Sequence, residues 1–136
     1  MLEITQECLD EFRRDAEEQL PNEACGILAG NGQEINKYIP MTNIDESPEH
    51  FSFDMKEAFT AIKQMRKDGL EYLAVIHSHP ETPARPSIED IRLAFDPTKY
   101  YLILSLIENG GCKAWKISKA DESGFKKVEF IEMKVK

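Results

Sequence analysis

The chain has 136 residues and a mass of 15.6 kDa, the size of one domain, and 41% of its residues are hydrophobic, enough for a core without disulfides. Its 25 acids outnumber its 17 lysines and arginines for a net charge of −8, which with no dense basic patch excludes nucleic acid as an expected partner. The longest apolar run, Tyr100 to Ile107, is far short of the ~20 residues that span a bilayer, so no membrane partner is expected.

The start, Met-Leu-Glu-Ile, lacks the basic and apolar regions of a signal peptide. Cys8, Cys25 and Cys112 are odd in number and far apart, which fits neither a disulfide framework nor a cysteine zinc knuckle. A reducing cytoplasm is the expected location. We read residues 1–136 as a single domain.

In chain order, Thr5 to Leu20 carries Cys8, Leu9, Phe12, Ala16 and Leu20 at helical spacing. Thr5 is placed as N-cap, and Ile4 and Leu9 as a staple across it. Pro21 stops that helix. Glu23 to Gly30 reads as a buried strand, Asn31-Gly32 as a hairpin turn, and Glu34 to Ile39 as the partner strand. Residues 40–51 read as a loop. Asp54 and Glu57 form a capping-box pattern for a helix to Lys67, with Met55, Ala58, Phe59, Ile62 and Met65 on its apolar face. A strand over Tyr72–Ile76, a proline-rich loop over 80–86 and a short helix over Ser87–Phe95 follow. Strands over Tyr100–Leu106, Lys113–Ser118 and Phe125–Met133 complete an α+β pattern: one mixed sheet of about six strands flanked by three helices.

The chemistry concentrates in Ile76-His-Ser-His-Pro80 and Ser87-Ile-Glu-Asp90. Residues two apart on an extended segment point the same way, so His77 and His79 can offer imidazoles to one ion. Asp90, one turn into the next helix, can fold back as a third ligand. Two imidazoles and a carboxylate suit zinc, and three protein ligands leave a fourth position open, the mark of a catalytic site. Ser-x-x-Asp before an apolar run is also an ordinary capping box, and both roles are compatible. His50, in a polar loop, gets no role. Cys25 invites a nucleophile or ligand role but suits packing better. Gly26 and Gly30 suggest close backbone approach near the site. Arg85 can either pair with a substrate carboxylate or stand solvated.

His77-Ser-His79, seven residues, Ser87, two residues and Asp90 resemble the signature of the JAMM (MPN-plus) zinc metallopeptidases, and Glu23 matches that family's upstream glutamate. The Asn43…Pro48…Phe51…Asp54 stretch and His-Pro-x-x-Pro-Ala-Arg-Pro-Ser extend the resemblance over nearly the whole chain. It implies a cytidine-deaminase-like JAMM/MPN fold and one Zn2+ per chain on His77, His79 and Asp90. It further implies Glu23 as general base and Ser87 as oxyanion donor. The compact form, with its Thr-Pro-Ala-Arg-Pro loop, resembles prokaryotic members that act after the Gly-Gly terminus of a ubiquitin-like sulfur-carrier protein. Such a tail could pair with an exposed strand edge. Relatives often form homodimers. The alternative is a non-catalytic MPN-like scaffold, a class that typically lacks a ligand, whereas all five motif positions are filled here. A zinc deaminase wants His-x-Glu with Pro-Cys-x-x-Cys, and neither that nor His-Glu-x-x-His occurs.

Overall fold

The first helix forms where its caps and apolar stripe agree. In the computed structural model, which describes residues Met1–Lys136, α1 spans Gln6–Glu18 and Thr5 Oγ1 accepts the Cys8 N–H at 3.2 Å. Ile4 and Leu9 are both buried, as the staple requires. A strand expected nowhere, β1 (Leu2–Ile4), precedes it. The Asn31-Gly32 turn joins β2 (Cys25–Asn31) to β3 (Glu34–Met41), with Gly32 at φ +62°. The remaining elements are α2 (Met55–Lys67), β4 (Glu71–His79), α3 (Ile88–Leu93), β5 (Tyr100–Ser105), β6 (Cys112–Ile117), β7 (Val128–Ile131) and β8 (Met133–Val135).

The class is the expected one, α+β with three helices and one mixed sheet, but the sheet has eight strands rather than about six. Its order is β7-β6-β5-β4-β2-β3-β1-β8, with β1 parallel to β3 and β8, and β4 parallel to β5. The two additional strands arise separately. Leu2–Ile4 is too short to show a period of two, yet it pairs with both β3 and β8. The expected strand over Phe125–Met133 is two strands, which pair with different neighbours on either side of Glu132.

Two apolar layers follow from strand alternation. Inside the curve of the sheet, Cys8, Leu9, Phe12 and Ala16 of α1 meet Leu28, Ile76, Leu102, Leu104 and Ala114. The Phe12 and Tyr38 rings meet edge to face at 5.4 Å. On the other face, Ala58 and Met65 of α2 cover Cys25, Ile27, Ala29 and Met41. The apolar face expected of α2 is only partly correct, because Met55 and Phe59 are 80% and 71% exposed. Asp54 caps α2 as expected. Glu57 does not close the box but accepts the Thr42 N–H and hydroxyl at 2.6 and 2.9 Å, tying α2 to the end of β3.

Candidate metal centre

The site begins with β4, which runs three residues beyond the expected Ile76 limit and so carries both His77 and His79. Cys25 pairs with His77 across the antiparallel β2–β4 ladder. Beyond the last pair, Ser78 N donates to the Ala24 carbonyl at 3.0 Å and Ala24 N donates to Ser78 Oγ at 2.8 Å. Alternation therefore sets Glu23, Cys25, His77 and His79 toward one face, the face covered by α2, and Ser78 toward the other. The 43–50 loop clamps Glu23 at both ends: its N–H donates to Ser47 O at 2.9 Å, and its carbonyl accepts Asn43 Nδ2 at 3.0 Å.

Asp90 reaches the same place from α3. Ser87 Oγ accepts the Asp90 N–H at 3.0 Å, and the Ser87 N–H donates to Asp90 Oδ2, also at 3.0 Å. This reciprocal box fixes both the start of α3 and the carboxylate. Three donor atoms converge: His77 Nε2 and His79 Nε2 lie 3.1 and 2.9 Å from Asp90 Oδ2, and 3.2 Å from each other. Ligands 2.0–2.2 Å from a tetrahedral zinc stand about 3.3 Å apart, so this triangle has nearly the edge length such an ion needs.

His79 Nδ1 faces the Pro83 carbonyl at 2.8 Å, and a carbonyl only accepts, so Nδ1 is the donor there and Nε2 is the ring atom turned toward Asp90. Protonating both Nε2 atoms would set two N–H groups against each other. A cation satisfies all three at once. The residues form a group that can hold a metal ion, and its ligand atoms fit one.

Second contacts orient the donors. The Phe51 ring stacks on His77 at 4.7 Å and 28°, and the Trp115 indole N–H holds the Ala84 carbonyl at 3.1 Å next to the Pro83 anchor. Burial of Asp90 opposes its charge, but the two imidazoles and the Ser87 N–H hold its carboxyl well below the usual carboxylate range. Glu23 is 2% exposed and its Oε1 has no partner. Burial, then the negative charges of Asp90 and Glu49, pushes its carboxyl up to about 9.

Other residues fall outside this geometry. A cavity of about 450 Å³ reaches Glu23 between Asp15, Asn43 and Glu57, but none of the three donors lines it. Cys25 is buried in the α2 layer with its thiol pushed up to about 12 by burial, which suits packing and not a nucleophile. His50 pairs with Asp45 at 2.9 Å in its loop. Arg85 is exposed and enters no ion pair. Gly26 and Gly30 do mark close approaches, but toward β3: an added Cβ would collide with the Tyr38 ring at Gly26 and with Glu34 O at Gly30. β2 and β5 occupy both sides of β4, so the strand that carries the two histidines is not itself an edge strand. Sequence reasoning missed the Pro83 anchor and the Phe51 stack. Only the family-like Asn43…Phe51 stretch hinted at the latter.

Comparison with known proteins agrees with this geometry. The family model described as prokaryotic homologs of the JAB domain matches residues 5–118. A CysO-cysteine peptidase of Mycobacterium bovis is 36% identical over 62% of this chain and 60% of its own length. A probable TtuB-protein conjugate cleaving protease of Thermus thermophilus is 35% identical over 69% of this chain and 64% of its own. The chain thus spans less than two thirds of either relative. A Desulfitobacterium hafniense protein of known solution structure superposes with a TM-score of 0.84 at 44% identity, covering 100% of this chain and 93% of that one. On a family match over most of its length, the chain belongs to the prokaryotic homologues of the JAB domain, a branch of the JAMM/MPN family.

Proposed function

We propose that this chain is a zinc-dependent peptidase that hydrolyses the bond after the Gly-Gly terminus of a ubiquitin-like, sulfur-carrier type protein, acting as one JAMM/MPN unit over residues 1–136. The observation that carries the reading is the convergence of His77, His79 and Asp90 lone pairs beside a buried, unpartnered Glu23 carboxyl. The names of two relatives, a peptidase and a conjugate-cleaving protease, point the same way.

His77, His79 and Asp90 would hold one Zn2+. Bound there, zinc supplies an electrophile for the scissile carbonyl and a positive charge that favours ionised Glu23. Glu23 takes the proton of the attacking water and delivers it to the leaving amine. Ser87 donates to the carbonyl oxygen as it gains charge; its Oγ accepts from Asp90 N but its own hydrogen has no protein acceptor, so capping and donation coexist. Glycines at the cleaved end let an extended tail approach donors as buried as His77 and His79.

The test incubates zinc-loaded protein with a sulfur carrier bearing a cysteine or an attached lysine after Gly-Gly, and with the same carrier in which valine replaces the second glycine. Cleavage of the first and at least ~10²-fold slower cleavage of the second is expected, because a side chain there misplaces the scissile bond. Equal cleavage of both, or of neither while a generic peptide is cut, refutes the assignment.

A further inference from the structure

Asp90 sits on a helix that the core does not hold. None of the six residues of α3 is buried, and Ile88 and Leu93 are 86% and 45% exposed. A short helix with no packed face frays unless its ends are tied. Its N-terminal tie is Ser87, already part of the site. Its C-terminal tie comes from a distant segment: Lys126 Nζ donates to the carbonyls of Ile91, Arg92 and Ala94 at 2.8, 3.3 and 2.6 Å. The Ile91 and Arg92 oxygens belong to the last turn, where helical geometry leaves carbonyls without N–H partners and where a cation meets the negative end of the helix dipole.

Lys126 is itself anchored. It lies in the β6–β7 connection, where Ser118 N donates to Lys127 O at 2.9 Å and Lys127 N donates to Ser118 Oγ at 2.7 Å. Asp121 Oδ1 ties the same connection by accepting from Ser123 N and Phe125 N at 2.9 and 3.0 Å. The first carbonyl that Lys126 grips is next in sequence to Asp90. A rigid path therefore runs from the end of β6 through one ammonium to the turn that bears the carboxylate.

We propose that Lys126 is a positioning residue of the metal centre: by clamping the C-terminus of α3 it holds Asp90 Oδ2 at the apex of the His77–His79 pair. This rests on the reading of those three residues as zinc ligands, and the experiment separates the two. Lys126→Met keeps the stem and removes the donor. Two quantities are measured: amide exchange across residues 90–94 in metal-free protein, and zinc affinity by competition with a chromogenic chelator. We expect faster exchange confined to α3 and a loss of affinity of roughly 10–100-fold, the range for outer partners of metal ligands. In an Asp90→Ala background the same change should leave the residual affinity unmoved. Unchanged exchange overturns the clamp whether or not zinc binds. Faster exchange with unchanged affinity overturns the positioning role, as does an equal affinity loss in the Asp90→Ala background. A wild-type chain that takes no zinc defeats the metal reading itself, and the exchange result alone then judges the clamp.

Discussion

As the three proposed zinc ligands, His77, His79 and Asp90 leave no redundancy, so each of His77→Ala, His79→Ala and Asp90→Ala should lose most of about one zinc per chain by elemental analysis. Full retention in all three variants would remove the site. Glu23→Gln should keep zinc and fold but lower turnover at least ~10²-fold, the scale of a lost general base. The same substitution has a second, independent signature in the metal-free protein. Burial, then the charges of Asp90 and Glu49, pushes the Glu23 carboxyl up from an ordinary 4.5 to about 9. Between those values the folded state keeps a proton that the unfolded chain has released, so stability falls as pH rises from about 4.5 to about 9. Denaturant titrations across that window should show Glu23→Gln with the shallower decline. Ser87→Ala should cost about 1 kcal/mol as a lost cap and ~10²–10³-fold in turnover as a lost donor; a stability loss with unchanged turnover would leave it a cap only. The sequence made the triad legible because His-x-His on a strand and a capped carboxylate one turn into a helix are local patterns. The Pro83 carbonyl and the Phe51 ring were not legible, since a backbone acceptor has no sequence signature and an aromatic in a proline-bearing loop has many possible neighbours.

At the scale of elements, helical periodicity located α2 but overstated its buried face. Ala58 and Met65 are buried and Ile62 packs against the same core, but the end of β3 holds the N-terminal turn through Glu57 and Thr42, and Met55 and Phe59 stay outside. Phe59→Gln should therefore change stability by less than ~1 kcal/mol, whereas Met65→Ala should cost about 2–5 kcal/mol by chemical denaturation. Comparable losses would mean that Phe59 is covered in solution. The caps at Thr5, Asp54 and Ser87 were each legible from one residue type at one position, since capping depends on atoms three residues apart. Strand limits were less so. β4 runs through Ser78 and His79 because β5 and the Ala24 backbone offer partners there, and that pairing is long-range.

Across the whole molecule, the outer strands of the sheet, β7 and β8, are neighbours in the chain with only Glu132 between them. Their junction brings the two edges together and curls the sheet around α1. Deleting residues 133–136 should uncover β1 and the flank of the α1 core on which Met133 packs, lowering Tm by roughly 5 °C or more, the effect of ~2 kcal/mol in a domain of this size. Zinc content should not change, since the proposed ligands stand on β4 and α3, and β4 is four strands from β8. Loss of zinc in that variant would show that the sheet's closure and the metal centre are coupled. The register Leu2 to Met133 also has a consequence in time. On the ribosome α1 is made on the order of a hundred residues before the strand that seals its enclosure. Until then the stripe of Cys8, Leu9, Phe12 and Ala16 has no complete wall to bury against. The nascent chain must keep that stripe from foreign contacts, and its final cooperative step awaits the arrival of the last few residues of the sheet.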